Sequence, residues 1–152
     1  VRSRGLGDVY KRQVVDLSFP DNKNFAKLCK KNSICFVQLI APTTTVKRMK
    51  ERIKSSHEMI YMISTISTTG SALKYSINRI IRNYNVIKKI KPSKNVVIGF
   101  GITEKTISNL RSADGLVVGS AICREITRSL RDRQNPVTNV SKLVRKLRNK
   151  II

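Results

Sequence analysis

The sequence contains no tryptophan, a single histidine, three cysteines and only nine acidic residues in 152. Each shortage closes a route. The one histidine, His57, sits on a polar connector just before an apolar run, so no Ser-His-Asp or Cys-His set can be drawn, and a capping or solvated role is expected for it. Cys29, Cys35 and Cys123 form an odd set without a CxxC pair. Neither a disulfide framework nor a zinc site is built that way, so no metal is expected, and a reducing, cytoplasmic setting fits. No apolar run approaches the roughly 18 residues of a spanning helix, and the N-terminal stretch lacks the apolar segment of a signal peptide. Among the acids, only Asp16 falls at the end of a strand-like run. Glu51, Glu58, Glu104 and Glu125 fall on helices or connectors, where salt pairing is the default role, so no general acid/base pair is visible.

What the chain has in excess is positive charge. Thirty-one Lys and Arg against nine Asp and Glu leave a formal +22. A field of that size attracts nucleic acid or anionic membrane without any dedicated site. Yet the basic residues are spread along the whole sequence, from Lys30 and Lys47 through Arg79 and Lys88 to Arg145. Only four Tyr and four Phe accompany them, so stacking platforms for bases are scarce. Scatter of this kind predicts solvated outer helix faces. A basic α/β module that binds nucleic acid through net charge is the alternative. With 40% apolar and 26% charged residues, the composition is that of one globular domain.

Residues 1–13 (VRSRGLGDVYKRQ) show no period of 2 or 3.6 and stop abruptly at an apolar run. They read as a non-native leader or scar, and the domain is expected over 14–152. From there the text alternates. VVDL at 14–17 is a strand stub, followed by a helix capped by Asp21 or Asn22 with Phe25, Ala26, Leu28 and Cys29 inward. ICFVQLIA at 34–41 reads as a strand covered on both faces, and Val46, Met49 and Ile53 repeat at helical spacing after the PTTT turn. MIYMI at 59–63 is a third strand, and a hydroxyl-rich loop closes on Gly70. A long helix carries Leu73, Ile77, Ile80, Ile81, Tyr84 and Ile87 on one stripe. NVVIGF at 95–100 is a fourth strand, 103–112 a helix, GLVV at 115–118 a fifth strand, and 120–129 a short helix. Asn135-Pro136 caps the last helix, whose inward residues are Val140, Leu143, Val144, Leu147 and Ile151. Strand and helix alternate five times, which predicts parallel βαβ units in a doubly wound or barrel arrangement.

In such folds ligands sit at the carboxyl ends of the strands. There, Gly99-Phe100-Gly101 lets an anion approach backbone N–H groups without meeting a Cβ. Eighteen residues after Gly101, Gly119-Ser120 opens a helix whose N–H groups and dipole favour negative charge. Taken together, these two glycine sites predict a phosphate holder. Neither forms GxGxxG or GxxxxGK[ST], so a Rossmann or P-loop nucleotide site is not supported.

The strings VVDLSFP, LIAPTTT, YMISTISTTG, NVVIGFGI and ADGLVVGSAI, in this order and spacing, resemble the tryptophan synthase alpha chain family over about residues 14–128. The resemblance implies an α/β fold that is part of a TIM (β/α)8 barrel, from the fourth strand through the eighth, with about five parallel strands and surrounding helices. It implies a lyase that cleaves indole-3-glycerol phosphate to indole and glyceraldehyde 3-phosphate without a cofactor and passes the indole to a beta chain. On the same basis, Tyr61 lies beside the catalytic carboxylate, Thr69 and Gly70 end a mobile loop, and Phe100 follows the seventh strand. Gly70, Gly101, Gly119 and Ser120 contact the phosphate. The family's acid/base glutamate and indole-holding aspartate come from its second strand and the loop after it, outside the matched stretch, so this chain alone is expected to be inactive. Ser67 stands where the family commonly has glycine.

Overall fold

The computed structural model describes residues 11–14, 17–18, 20–64 and 77–152. The elements are β1 (Lys11–Gln13), α1 (Asp21–Lys31), β2 (Cys35–Ile40), α2 (Val46–Ser55), β3 (Met59–Ile63), α3 (Ile77–Ile90), β4 (Asn95–Gly99), a 3₁₀ turn (Ile107–Leu110), β5 (Gly115–Val117), α4 (Ser120–Arg131) and α5 (Pro136–Arg148). All five strands pair in parallel and in chain order. That is the topology of successive parallel crossover units, each strand lying beside the last.

Side chains alternate across this sheet as the pleat demands. Ile60 and Met62 of β3 share register with Val96 and Ile98 of β4, and all four are buried. They meet Met49 and Ile53 of α2, Ile80 and Ile87 of α3, and Ile107 and Leu110 of the turn in one core, which Leu147 of α5 joins. Each fully buried side chain of this size stabilises by about 1.5–3 kcal/mol. A second cluster, Ala26, Cys29 and Phe36, fastens α1 to β2, with Phe25 edge-on to Phe36 at 5.1 Å between ring centroids. The opposite, barrel-lining face is less covered. Met59, Tyr61, Ile63 and Val97 are half-buried there, and Val117 is 41% exposed.

Several expectations need correction. The first strand among the described residues is Lys11–Gln13, within the 1–13 segment; of the stub expected at 14–17, residues 14 and 17 are not in a strand and 15–16 lie outside the described residues. Edge pairing uses backbone groups alone and tolerates basic side chains there. Pro20 occupies the cap of α1 and offers no side-chain bond, and Asn22 is buried inside the helix instead of capping it. The helix expected at 103–112 reduces to one 3₁₀ turn, because Thr103 and Thr106 bond to each other and to nearby backbone. Leu28, Val144 and Ile151, expected inward, are exposed, and so is Val46 at the start of α2; Ile151 lies beyond the end of α5. Thr45 does cap α2 by accepting from the Arg48 N–H at 3.4 Å, and Asn135 caps α5 by accepting from Val137 and Thr138.

At the amino ends of the strands, two charged groups staple the layers. Asp114 accepts from the Val96 N–H (2.8 Å), pairs with Lys88 (3.0 Å) and accepts from the Tyr84 hydroxyl (3.2 Å). Buried Lys94 donates to the carbonyls of Ser56 (3.1 Å) and His57. Burial and neighbouring Lys91 hold its pKa below the usual lysine range. Burial pulls the Asp114 carboxyl upward, but the Val96 N–H, Lys88 and Tyr84 outweigh it, so the net displacement is downward. The stabilisation from Asp114 is therefore complete above the ordinary aspartate range and fades as pH falls through the lowered folded value. Asp114→Asn should lower stability by about 1–2 kcal/mol at neutral pH. Urea unfolding against pH checks this, and the gap between the two proteins should close in acid.

Candidate functional site

The carboxyl ends of β3, β4 and β5 come out level because of their register. Ile63 stands opposite Gly99, and Gly99 opposite Val117. Whatever follows each strand therefore emerges on the same side of the sheet, at adjacent positions. Ser64, the residue after β3, is fully buried. Its backbone N–H donates to Gly99 O at 3.0 Å, and its hydroxyl reaches Gly99 O at 2.9 Å and also Phe100 O. This clasp, unforeseen in the sequence, fixes where β4 ends. Its only trace there is a hydroxyl placed directly after an apolar strand.

Beyond the clasp, Phe100 (φ 68°) and Gly101 (φ 65°) both take the left-handed conformation. For phenylalanine that costs on the order of 1–2 kcal/mol. The Ser64 clasp and an edge-on contact with Tyr61, ring centroids 6.0 Å apart, hold it there. At Gly101 the left-handed backbone carries no Cβ. Thr106 Oγ1 then accepts from the Thr103 N–H (3.0 Å) and donates to Gly101 O (3.3 Å), which closes the loop on itself. Glu104, at its tip, pairs with Lys146 of α5 at 2.6 Å. That bond, followed by the wider lysine field, holds the carboxyl below its usual range.

Gly119 (φ −117°) precedes α4, whose first turn carries no acidic residue and has no side-chain cap. Its leading N–H groups are the donors a helix leaves without intrahelical partners, at the positive end of the dipole. Ser120, half-buried, opens the helix beside them. Tyr61 lies on the barrel-lining face of β3, half-buried, with burial raising the pKa of its phenol. Its ring passes directly over Gly99, and a Cβ on that glycine would overlap the Tyr61 hydroxyl and Cζ.

The structure therefore brings together Tyr61, Phe100, Gly101, Gly119 and Ser120 at one end of the sheet. Thr69, Gly70, Ser67 and Asp16 lie outside the described residues. His57 is placed at the opposite end, where its Nδ1 accepts from the Phe36 N–H at 2.7 Å, a structural role. Among the described residues no cluster of His, Cys, Asp and Glu could hold a metal, and no helix is long and apolar enough to cross a membrane. Two crevices of about 430 and 630 Å³ part α1 from α2 on the outer layer, but neither is lined by residues of the strand ends.

Five parallel strands in chain order, helices on one face and backbone-rich loops at the carboxyl ends define a segment of a (β/α)8 barrel. A tryptophan synthase alpha subunit structure from Legionella pneumophila matches that fold with a TM-score of 0.73 at 22% identity, over 93% of this chain and 51% of that one. The chain belongs to the tryptophan synthase alpha chain family, whose model matches residues 9–152. An alpha chain from Pelagibacter ubique is 61% identical over 138 residues, which cover 91% of this chain and 52% of that relative. A Pyrococcus furiosus structure of the tryptophan synthase α2β2 complex matches at 28% identity and a TM-score of 0.73, over 91% and 55% of the two chains. The chain thus spans about half the length of the relatives it matches. The nucleic-acid reading gains nothing from these likenesses.

The glycines at the site are not equivalent. Gly99→Ala should displace Tyr61 or strain β4, costing about 1–3 kcal/mol as overpacking does. Gly119→Ala meets nothing within 4 Å and should be nearly silent for stability. Thermal unfolding of the two variants, with the Tyr61 ring resonances as a local probe, checks the contrast.

Proposed function

We propose that this chain supplies the phosphate-holding half of a tryptophan synthase alpha chain, the lyase that cleaves indole-3-glycerol phosphate to indole and glyceraldehyde 3-phosphate. The observation that carries the reading is the level emergence of the left-handed Phe100-Gly101 turn and the Gly119-led helix from neighbouring strands. Backbone N–H groups at Gly101, Gly119 and Ser120 would serve one anion, and the family resemblance adds Gly70 as a phosphate contact and Thr69 as a substrate-binding residue. Tyr61, displaced from the phosphate toward the sheet's inner face, stands where the indole moiety would lie. The hydrophobic wall of Met59, Ile63 and Val97 suits that ring.

Cleavage breaks the bond between the indole ring carbon and the hydroxyl-bearing carbon of the glycerol phosphate side chain. An acid protonates the ring carbon with a base at the indole nitrogen, and a base takes the proton of the side-chain hydroxyl as that carbon becomes the aldehyde, after which the nitrogen regains its proton. Among the described residues, the one carboxylate on a strand-end loop, Glu104, is committed to Lys146. The acid and base are therefore assigned to the portion of the family's chain that this sequence does not span. No step calls for a metal or organic cofactor. The partner in the assembled enzyme is the beta chain, which takes up the indole, and the setting is cytoplasmic.

About four backbone hydrogen bonds at about 1 kcal/mol net each give a dissociation constant on the order of 1 mM for phosphate. Titration of the 152-residue chain with inorganic phosphate, followed by amide NMR, should show saturable shifts at Gly101 and Ser120. Gly101→Val, which puts a branched Cβ at a left-handed residue in the anion's path, should abolish them. The chain alone should not turn over indole-3-glycerol phosphate, whereas adding the N-terminal half of the Pelagibacter relative should restore turnover. Turnover by the chain alone, or a silent Gly101→Val, would contradict the assignment.

A further inference from the structure

The loop that carries Gly101 is gripped from outside the sheet, by the end of the chain. Lys146 Nζ lies 2.6 Å from the Glu104 carboxylate and Lys150 Nζ 4.0 Å from it. Lys150 also donates to the Glu104 backbone carbonyl at 2.9 Å, so α5 and the turn after it hold both the side chain and the main chain of one loop residue. Within the loop, Thr106 ties the Thr103 N–H to Gly101 O, so a displacement at Glu104 is passed to Gly101.

The same helix is tied to the other anion-facing element. Ser129 of α4 is fully buried and accepts from Asn139 of α5 at 3.1 Å, and Gln134 N–H donates to Ser129 O at 2.7 Å across the short connection. Asn135 caps α5 with bonds of 2.9 and 3.3 Å. The α4–α5 hairpin is thus a braced unit, with Gly119 and Ser120 opening its first helix and Lys146 and Lys150 at and just after the end of its second. Together these links run from the Gly101 loop through Glu104, the two lysines, α5 and α4 to the Gly119 turn, and the pairing of Gly99 with Val117 closes the ring.

We propose that Glu104 is a positioning residue, and that its clamp by Lys146 and Lys150 sets the distance between the Gly101 loop and the amino end of α4. The inference rests on the phosphate reading and names what holds that site in shape. A partly exposed ion pair contributes little to global stability. Its effect here lies in fixing two loops relative to one another.

The test exploits a sign. Removing an acid beside an anion site makes the local field more positive, so electrostatics alone predicts that Glu104→Gln binds inorganic phosphate as well as the parent or better. A positioning role predicts the reverse, a loss of about three-fold or more. The charge swap Glu104→Lys with Lys146→Glu keeps the net charge and the bridge, and should return the affinity to within about two-fold of the parent. Equal or tighter binding by Glu104→Gln overturns the proposal, as does a swap that fails to rescue. Amide exchange without phosphate separates this from the underlying reading. If the parent shows no saturable phosphate binding, the phosphate assignment falls. The clamp then stands if Glu104→Gln speeds exchange at Thr103 and falls if exchange there is unchanged.

Discussion

Everything at the candidate site depends on the parallel register of β3, β4 and β5. Five consecutive residue pairs lock β3 to β4, and three lock β4 to β5. A slip of β4 by one residue would turn Val96 and Ile98 out of the core and bring the polar Asn95 in, so the buried face enforces the alignment. Given that alignment, the ends of three strands are level. The Phe100-Gly101 turn and the Gly119 turn then emerge from neighbouring strands although Gly101 and Gly119 stand eighteen positions apart in sequence.

The two ends of the sheet divide the labour. At the amino ends, Asp114 and Lys94 spend their charges on carbonyls, an amide and each other's neighbours, which fastens strands to helices. At the carboxyl ends, among the described residues, side-chain charge is sparse, and backbone groups, hydroxyls and the Tyr61–Phe100 pair do the shaping. This is the usual division in β/α barrels, with stability at one face and chemistry at the other. The +22 charge is carried largely on exposed helix positions and does not define the site. Among the described residues, one structured use of it on a loop after a strand is the lysine grip on Glu104.

Much of this was legible in the residues. Short apolar runs such as ICFVQLIA and NVVIGF announced parallel strands, because only strands covered on both faces read without alternation. The glycines of GFG and GSA marked backbone-rich loops at strand ends. What escaped detection depended on tertiary neighbours. Ser64 reads as one more loop hydroxyl until β4 is placed beside it. The stretch 103–112 has helical spacing in Ile107 and Leu110, but the threonine bonds of the loop take up the first turn, leaving a single 3₁₀ turn. Lys11–Gln13 has no apolar signal at all, because an edge strand pairs by its backbone. Leu28 and Val144 belong to apolar stripes but meet no covering surface, and composition cannot reveal how far a neighbouring surface extends.

The central claim is that this half-barrel holds its strand register by itself. Amide hydrogen exchange on the 152-residue chain measures that most directly. The account predicts that the slowest amides are those of β3 and β4, joined by Leu116, and that they exchange as one cooperative block while the ends of α4 and α5 exchange faster. Strand amides that exchange as fast as those helix ends would contradict it, for the site would then have no frame to stand on.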